Sequence, residues 1–189
     1  MASINATTSS GIIATADNTG LLQLQSAGTT VATISSTGLT MNSGNIIQAS
    51  GAAPAFSAFA GSPQNTTSNV YTKVLFPNEE FDTNNNFASS TFTPTVAGYY
   101  QLNTSVSVNG APTRYAIQIY KNGVAYKILT DITCGSGTTP NAISGSAIVY
   151  FNGSTDFAEI YGNQVGATGF FSNSTTVFTW FNGCFLRSA

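Results

Sequence analysis

A chain of 189 residues has room for one domain of ordinary size and an appendage. Apolar residues make up 42% of it, enough for a core, while charged residues make up only 6%, against about 25% in an average domain. The net charge is −2 and the five basic residues are scattered, which excludes a basic stripe for nucleic acid, and the lack of histidine excludes Ser-His-Asp and Cys-His centres.

Thr, Ser, Asn and Gly stand where charges usually do, and they favour short strands and turns over helix interiors. The opening "MASINATTSSGIIATADNTG" has no basic n-region and no apolar run, so no secretory signal is expected. No segment is long enough to span a membrane, so no membrane partner is expected either. Residues 1–50 contain no aromatic residue and one charge, Asp17. Their stretch "GLLQLQSAGTTVATISSTGLTM" nevertheless alternates like strands, with Leu22 and Leu24, then Val31 beside Ile34, then Leu39 and Met41. Ser26-Ala27-Gly28 reads as the turn between the first two. Such a piece buries too little to stand alone. It is expected to pack on the main domain, on a copy of itself or on a larger assembly. "QASGAAPAFS" (48–57), with Pro54, reads as the linker to a head domain over 51–189.

In the head, "VYTKVLF" (70–76) predicts a strand, followed by an Asn-rich loop at 82–86. "ASSTFTPT" (88–95) and "GYYQLNTSVSV" (98–108) follow, with Gly98 at the turn between them. "RYAIQIY" (114–120) and "VAYKIL" (124–129) flank Asn122-Gly123, a strong hairpin signal because both turn positions need positive φ. A loop is expected over 131–142, then strands in "SGSAIVYF" (144–151), "TDFAEIYG" (155–162) and "TTVFTWFNGCFL" (175–186). Eight to ten short strands with regular turns predict an all-β sandwich or barrel, and no helical period is present.

Little in this chain suits chemistry. Glu79, Glu80 and Asp82 cluster, and Asp156 lies near Glu159. They read as solvated strand-end carboxylates; the alternative is a calcium site, since hard oxygen ligands suit that ion. No other cofactor is expected. Cys134 and Cys184 could form one disulfide or stay as reduced core thiols, the second being favoured where no signal takes the chain out of the cytosol. Five Asn-x-Ser/Thr sites, at Asn5, Asn65, Asn103, Asn152 and Asn173, read as products of composition. Trp180 with Phe178, Phe181 and Phe185 could form a sugar-stacking platform, but alternation directs part of the set to the core. Phe170 and Phe171, in the loop 166–176, are candidates for a surface contact.

The aromatic spacing resembles the globular heads of complement component one q and the tumour-necrosis-factor-like jelly rolls. Phe76 precedes Asp82 by six residues, Phe87 follows five later, Phe92 comes six before Gly98, and Tyr100 completes Gly-x-Tyr. "PAFSAFA" (54–60) resembles the family's first strand, "IYKNGV" (119–124) its central hairpin, and "FNGCFL" (181–186) its closing strand. Two features depart from the pattern: the Phe87–Phe92 interval is two residues short, and Leu102 and Thr104 stand where aromatics are expected. The resemblance implies a jelly-roll β-sandwich and a homotrimer, with Phe76, Phe87, Phe92, Tyr100, Phe181 and Phe185 filling the core and the trimer axis. The first 50 residues are similar instead to segments of tailed-bacteriophage fibre and head proteins, through "TADNTGLLQLQSAGTTVATISSTGLTMNSGN".

Together these imply a non-enzymatic virion-surface protein, made in the host cytoplasm. Its arm, with Leu22, Leu24, Val31, Ile34 and Leu39, would fasten a trimeric head to the major capsid protein or another virion protein as a capsid decoration or cement. The alternative is a fibre adhesin whose head meets a host-surface glycan or receptor. The chain's shortness, without a long shaft, favours the capsid.

Overall fold

The computed structural model describes residues 21–27, 29–36, 38–41, 53–109, 112–135, 142–166, 170–171 and 178–189. The chain divides into two compact units, Met1–Ala49 and Ser50–Ala189.

The first unit holds an antiparallel sheet of β1 (Leu22–Ser26), β2 (Thr29–Ser35) and β3 (Gly38–Met41), in that order. Ala27 takes φ 50° at the first turn, where the sequence predicts one. The register aligns Leu22, Ile34 and Leu39 across the three strands, with Leu24 and Ala32 paired in the neighbouring row. Side chains two apart share a face. One face of the sheet is therefore a patch of leucine and isoleucine.

The head contains β4 (Ala55–Phe59), β5 (Gln64–Asn65), β6 (Thr72–Lys73), β7 (Asn78–Asp82), β8 (Phe87–Ala88), β9 (Thr91–Phe92) and β10 (Gly98–Val106). It continues with β11 (Val108–Asn109), β12 (Arg114–Lys121), β13 (Val124–Thr133), β14 (Ile143–Phe151), β15 (Ala158–Val165), β16 (Phe170–Phe171) and β17 (Trp180–Arg187). No helix occurs among the described residues. A five-stranded sheet of order β14-β10-β17-β4-β7 packs on a sheet of order β13-β12-β15-β9-β8, with β6 also on β15. A small third sheet, β11-β16-β5, pairs residues 170–171 with Val108–Asn109 and Gln64–Asn65, inside what the sequence presents as a loop.

Four local expectations change. The strand expected over 70–76 shrinks to Thr72–Lys73, because the Gln64 side chain takes up the neighbouring backbone: Nε2 donates to the Lys73 carbonyl at 2.7 Å and Oε1 accepts from Leu75 N at 3.0 Å. "ASSTFTPT" is a hairpin instead of one strand, since Ser89 and Ser90 both take positive φ, 51° and 59°. Gly98 does not make a turn. It opens β10, and a Cβ there would lie 2.5 Å from both the Phe185 ring and the Arg187 carbonyl. The Asn122-Gly123 hairpin forms with φ 55° and 78°, and its second strand runs on to Thr133, into the predicted loop.

The core is a chain of rings. Phe56 stacks on Phe87 and Phe92 with centroids 4.8 and 4.3 Å away, and meets Phe181 edge-on at 4.9 Å. Tyr100 sits edge-on to Phe92, Phe151 and Phe185, and its hydroxyl donates to the Val96 carbonyl at 2.8 Å. Each ring buried this way contributes about 1.5–3 kcal/mol, with about 0.5–1.5 more per well-placed pair. On β17, Phe181, Gly183 and Phe185 share the inner face, and a Cβ on Gly183 would press into Leu102 and Phe56.

At one corner the sheets nearly touch. A Cβ on Gly145 would lie 2.6 Å from the Leu129 Cβ, so only glycine lets β13 and β14 approach this closely. There Lys127 Nζ donates to the Ile148 carbonyl at 2.8 Å and Thr130 Oγ1 to the Ser144 carbonyl at 2.6 Å. These side chains occupy carbonyls along the open side of β14. At the far edge, β7 carries Glu79, Glu80 and Asp82, and like charges on an edge strand discourage another strand from pairing with it.

Candidate self-association surface

On β10, Tyr100, Leu102 and Thr104 are buried, so Tyr99, Gln101, Asn103 and Ser105 face out of the sandwich. The register sets Tyr99 beside Tyr150, Gln101 between Ile148 and Cys184, Asn103 between Ser146 and Asn182, and Ser105 between Ser144 and Trp180. β4 extends the rows with Ala55, Ser57 and Phe59. None of these side chains is charged.

At one end of this face stand exposed apolar groups: Ile148 at 50% exposure, Leu186 at 48%, Tyr99 at 40% and Tyr150 at 39%. The Tyr99 and Tyr150 rings lie 5.6 Å apart. Leu186 sits at a bulge, since Tyr99 pairs with Arg187 while Tyr100 pairs with Phe185, and alternation from the inward Phe185 puts its side chain on the outer face. Tyr99, Ile148, Leu186, Arg187 and Ala189 line an open depression of about 450 Å³. A polar ladder crosses the middle of the face: Gln101 Nε2 donates to Asn103 Oδ1 at 3.0 Å, and Asn103 Nδ2 donates to Asn182 Oδ1 at 2.9 Å.

A second apolar patch lies on the edge strand β13. Val124, Tyr126 and Ile128, at every second position, are exposed at 65%, 46% and 62%. Beside it Lys121 is held 2.9 Å from Asp156 and 5.7 Å from the Tyr150 ring. Hydrogen bonds from Asn122 and Lys121 hold the Asp156 carboxyl below its ordinary pKa, and so anchor the hairpin. The opposite sheet bears the contrasting surface. There the Lys73–Glu159 ion pair (2.6 Å), the Arg114–Asp131 pair and the stacked Tyr120 and Tyr161 rings (3.8 Å) cover its outer side.

No family model matches the sequence, and no curated protein matches it significantly. Among solved structures, the chain is similar to the globular domain of zebrafish complement 1qA protein, with a TM-score of 0.52 at 16% identity over 73% of this chain and all of that one. It is also similar to murine APRIL at pH 5.0, with a TM-score of 0.55 at 10% identity over 71% of this chain and all of that one. The head is a jelly roll of the complement and tumour-necrosis-factor type.

Within the jelly roll, Phe76, Phe87, Phe92, Tyr100 and Phe181 are buried in the protomer's own core, and Phe185 packs half-buried against it. Buried rings offer nothing to a second copy. The surface that can meet one consists of side chains the aromatic motif does not mark: Tyr99, Ile148, Tyr150 and Leu186. Their signal in the sequence is alternation itself, because each lies one residue from an inward aromatic or aliphatic position. Phe56, Tyr115 and Phe151 likewise belong to the core without having been singled out. Trp180 and Phe178 are not core; Trp180 is half-buried on the outer face and Phe178 is exposed.

In the first unit, Leu22, Leu24, Ile34 and Leu39 are 40–49% exposed. The side chains of Val31, Phe170 and Phe171 lie outside the described residues. The two cysteines are free, yet they are not core thiols: Cys184 is exposed on the outer face and Cys134 is half-buried after β13. The carboxylates are dispersed among separate tasks. Asp82 accepts from the backbone of Asn84 and Phe87, Glu80 accepts from Ser57 Oγ at 2.6 Å, and Glu159 binds Lys73 and Thr91. Among the described residues no three acidic or sulfur ligands converge on a metal position.

Proposed function

We propose that the protein is a homotrimeric structural module without a chemical step, and that it decorates the surface of a bacteriophage capsid. The observation that carries self-association is the pair of unlike apolar patches on one protomer. One is the apolar end of the five-stranded sheet, at Tyr99, Ile148, Tyr150 and Leu186, with Arg187 at its rim; the other is the β13 edge, at Val124, Tyr126 and Ile128. Two unlike patches that meet make a head-to-tail contact, which closes into a ring of three when each copy is turned by a third of a circle from the last. Area favours a ring as well. Five strands about 4.8 Å apart and eight residues long span roughly 500–600 Å², short of the ~800 Å² per partner of a stable interface. A protomer that uses both patches comes closer to that figure.

The arm supports the capsid. Its leucine face is exposed in its own unit, and its sequence is similar to segments of phage structural proteins. Three weak arms on one head gain most from a partner that repeats the same site in a fixed array, and a viral shell does so.

The test has two parts. Sedimentation of the full chain should give three times the 19.6 kDa protomer mass, and Ile148→Glu should reduce it to the protomer. A stable wild-type protomer at micromolar concentration overturns the trimer. Particles lacking the protein should burst under heat or osmotic shock yet adsorb normally when intact. Loss of adsorption with unchanged shell strength overturns the capsid role in favour of an adhesin.

A further inference from the structure

We infer that the end of β15, at Asn163 and Gln164, is a local opening point of the head: here the strand parts from the segment 67–71 and admits water while the rest of the sandwich stays folded. Such an opening belongs to the single protomer, whatever partners the head has.

Along β15, Ala158, Ile160, Gly162 and Gln164 face into the sandwich, and only the last carries a polar side chain. Gln164 is fully buried, and neither Nε2 nor Oε1 has a hydrogen-bond partner among the described residues or any surface for a water to touch. Its neighbour Asn163, on the outer side opposite Ala116, buries Oδ1 in the same way. Buried polar atoms are nearly all paired in folded chains, so three unpaired ones on consecutive residues mark a place where the fold works against itself. Each of these groups gains when water reaches it. The backbone beside them is tied lightly. β6 pairs with β15 only at Tyr161 and Gly162. Beyond that, the same edge is held by Asn69 N, which donates to the Gln164 carbonyl at 2.7 Å, and by Gly166 N, which donates to Ser68 Oγ at 3.2 Å. Asn69 sits at φ 61°, in the left-handed region, so release of the segment also relieves backbone strain. On its other edge β15 keeps a full ladder with β12, from Arg114–Val165 to Lys121–Ala158. The aromatic cluster is remote, since Phe92 pairs with Ala158 at the opposite end of β15, roughly 20 Å from Gln164. One end can therefore open without loosening the rings.

The test is native-state hydrogen exchange of the full chain, read by NMR at the backbone amides of Asn69 and Gly166 and at those of the interior strands β10 and β17. In the wild type the first two should exchange at least about tenfold faster than the strands. Gln164→Met, apolar and of similar shape, removes the unpaired amide. It should slow exchange at Asn69 and Gly166 by about 5- to 140-fold, the equivalent of about 1–3 kcal/mol, and slow the strands by no more than that. Wild-type Asn69 and Gly166 amides as slow as the strands show that no separate opening exists. Slowing confined to the strands shows that the opening leaves Gln164 covered, and unchanged or faster exchange at Asn69 and Gly166 shows that its amide does not drive the opening. Each of these results overturns the inference. Should Gln164→Met fail to fold by circular dichroism, Gln164→Leu is judged by the same criteria.

Discussion

Replacing Phe92 separates what the aromatic cluster contributes as rings from what it contributes as volume. The ring is fully buried and lies 4.3 Å from Phe56, 5.4 Å from Tyr100 and 5.7 Å from Phe151. Phe92→Leu keeps most of the buried area but dissolves three ring pairs, at about 0.5–1.5 kcal/mol each. The sum is about 1.5–4.5 kcal/mol. Phe92→Ala adds a cavity and should cost about 3–5 kcal/mol in total. A domain of ordinary stability, about 5–15 kcal/mol, survives the first comfortably and the second barely. The assay is urea unfolding followed through the emission of Trp180, the only tryptophan, at one fixed protomer concentration because association shifts apparent stability. Equal losses for leucine and alanine, or an alanine loss below about 1 kcal/mol, would refute the claim that interlocked rings hold the two sheets together.

Three further outcomes are expected. Gly98→Ala forces a methyl to within 2.5 Å of the Phe185 ring and the Arg187 carbonyl, and should cost about 1–3 kcal/mol in thermal unfolding; Gly123→Ala, where nothing lies within 4 Å, should cost only the positive-φ strain, about 1 kcal/mol. Burial pushes the Tyr100 hydroxyl up to about 12 from an ordinary 10.0, so folding favours the protonated phenol. That stability is intact below pH 10 and lost as pH climbs towards 12. The buried Tyr115 shifts in the same direction, so the double variant Tyr100→Phe/Tyr115→Phe should flatten the alkaline fall in urea midpoint, and an unchanged fall would count against it. Asp156 works at the other end of the scale. Its folded pKa lies below the ordinary 3.8, so its contribution is present above that value and disappears as pH falls through the folded one. Asp156→Asn should weaken the hairpin at neutral pH and remove that acid-side dependence, read as urea midpoint against pH.

Much of the head was legible because its signals are local. Asn122-Gly123 marks a hairpin wherever alternating runs flank it, and Phe181-x-Gly183-x-Phe185 alternates as an inward face must. The β8–β9 turn was hidden because Ser89 and Ser90 do not favour positive φ; the fold imposes it. The short β6 was hidden because a distant side chain, Gln64, takes bonds that a strand would otherwise make. The outward apolar end of the five-stranded sheet was least visible. The Gly98-x-Tyr100 spacing marks Tyr100 for the core, but nothing in it marks the adjacent Tyr99 as part of an apolar patch, which forms only where β10 pairs with β14 and β17.

The sealed corner between β13 and β14 has a consequence for behaviour in bulk. With Lys127 and Thr130 seated on the backbone oxygens of β14 and acidic side chains guarding β7, neither rim of the five-stranded sheet welcomes a foreign segment. Strand addition at either rim of this sheet should therefore be disfavoured even in crowded solutions. Replacing Lys127 and Thr130 by valine should open the route to filaments.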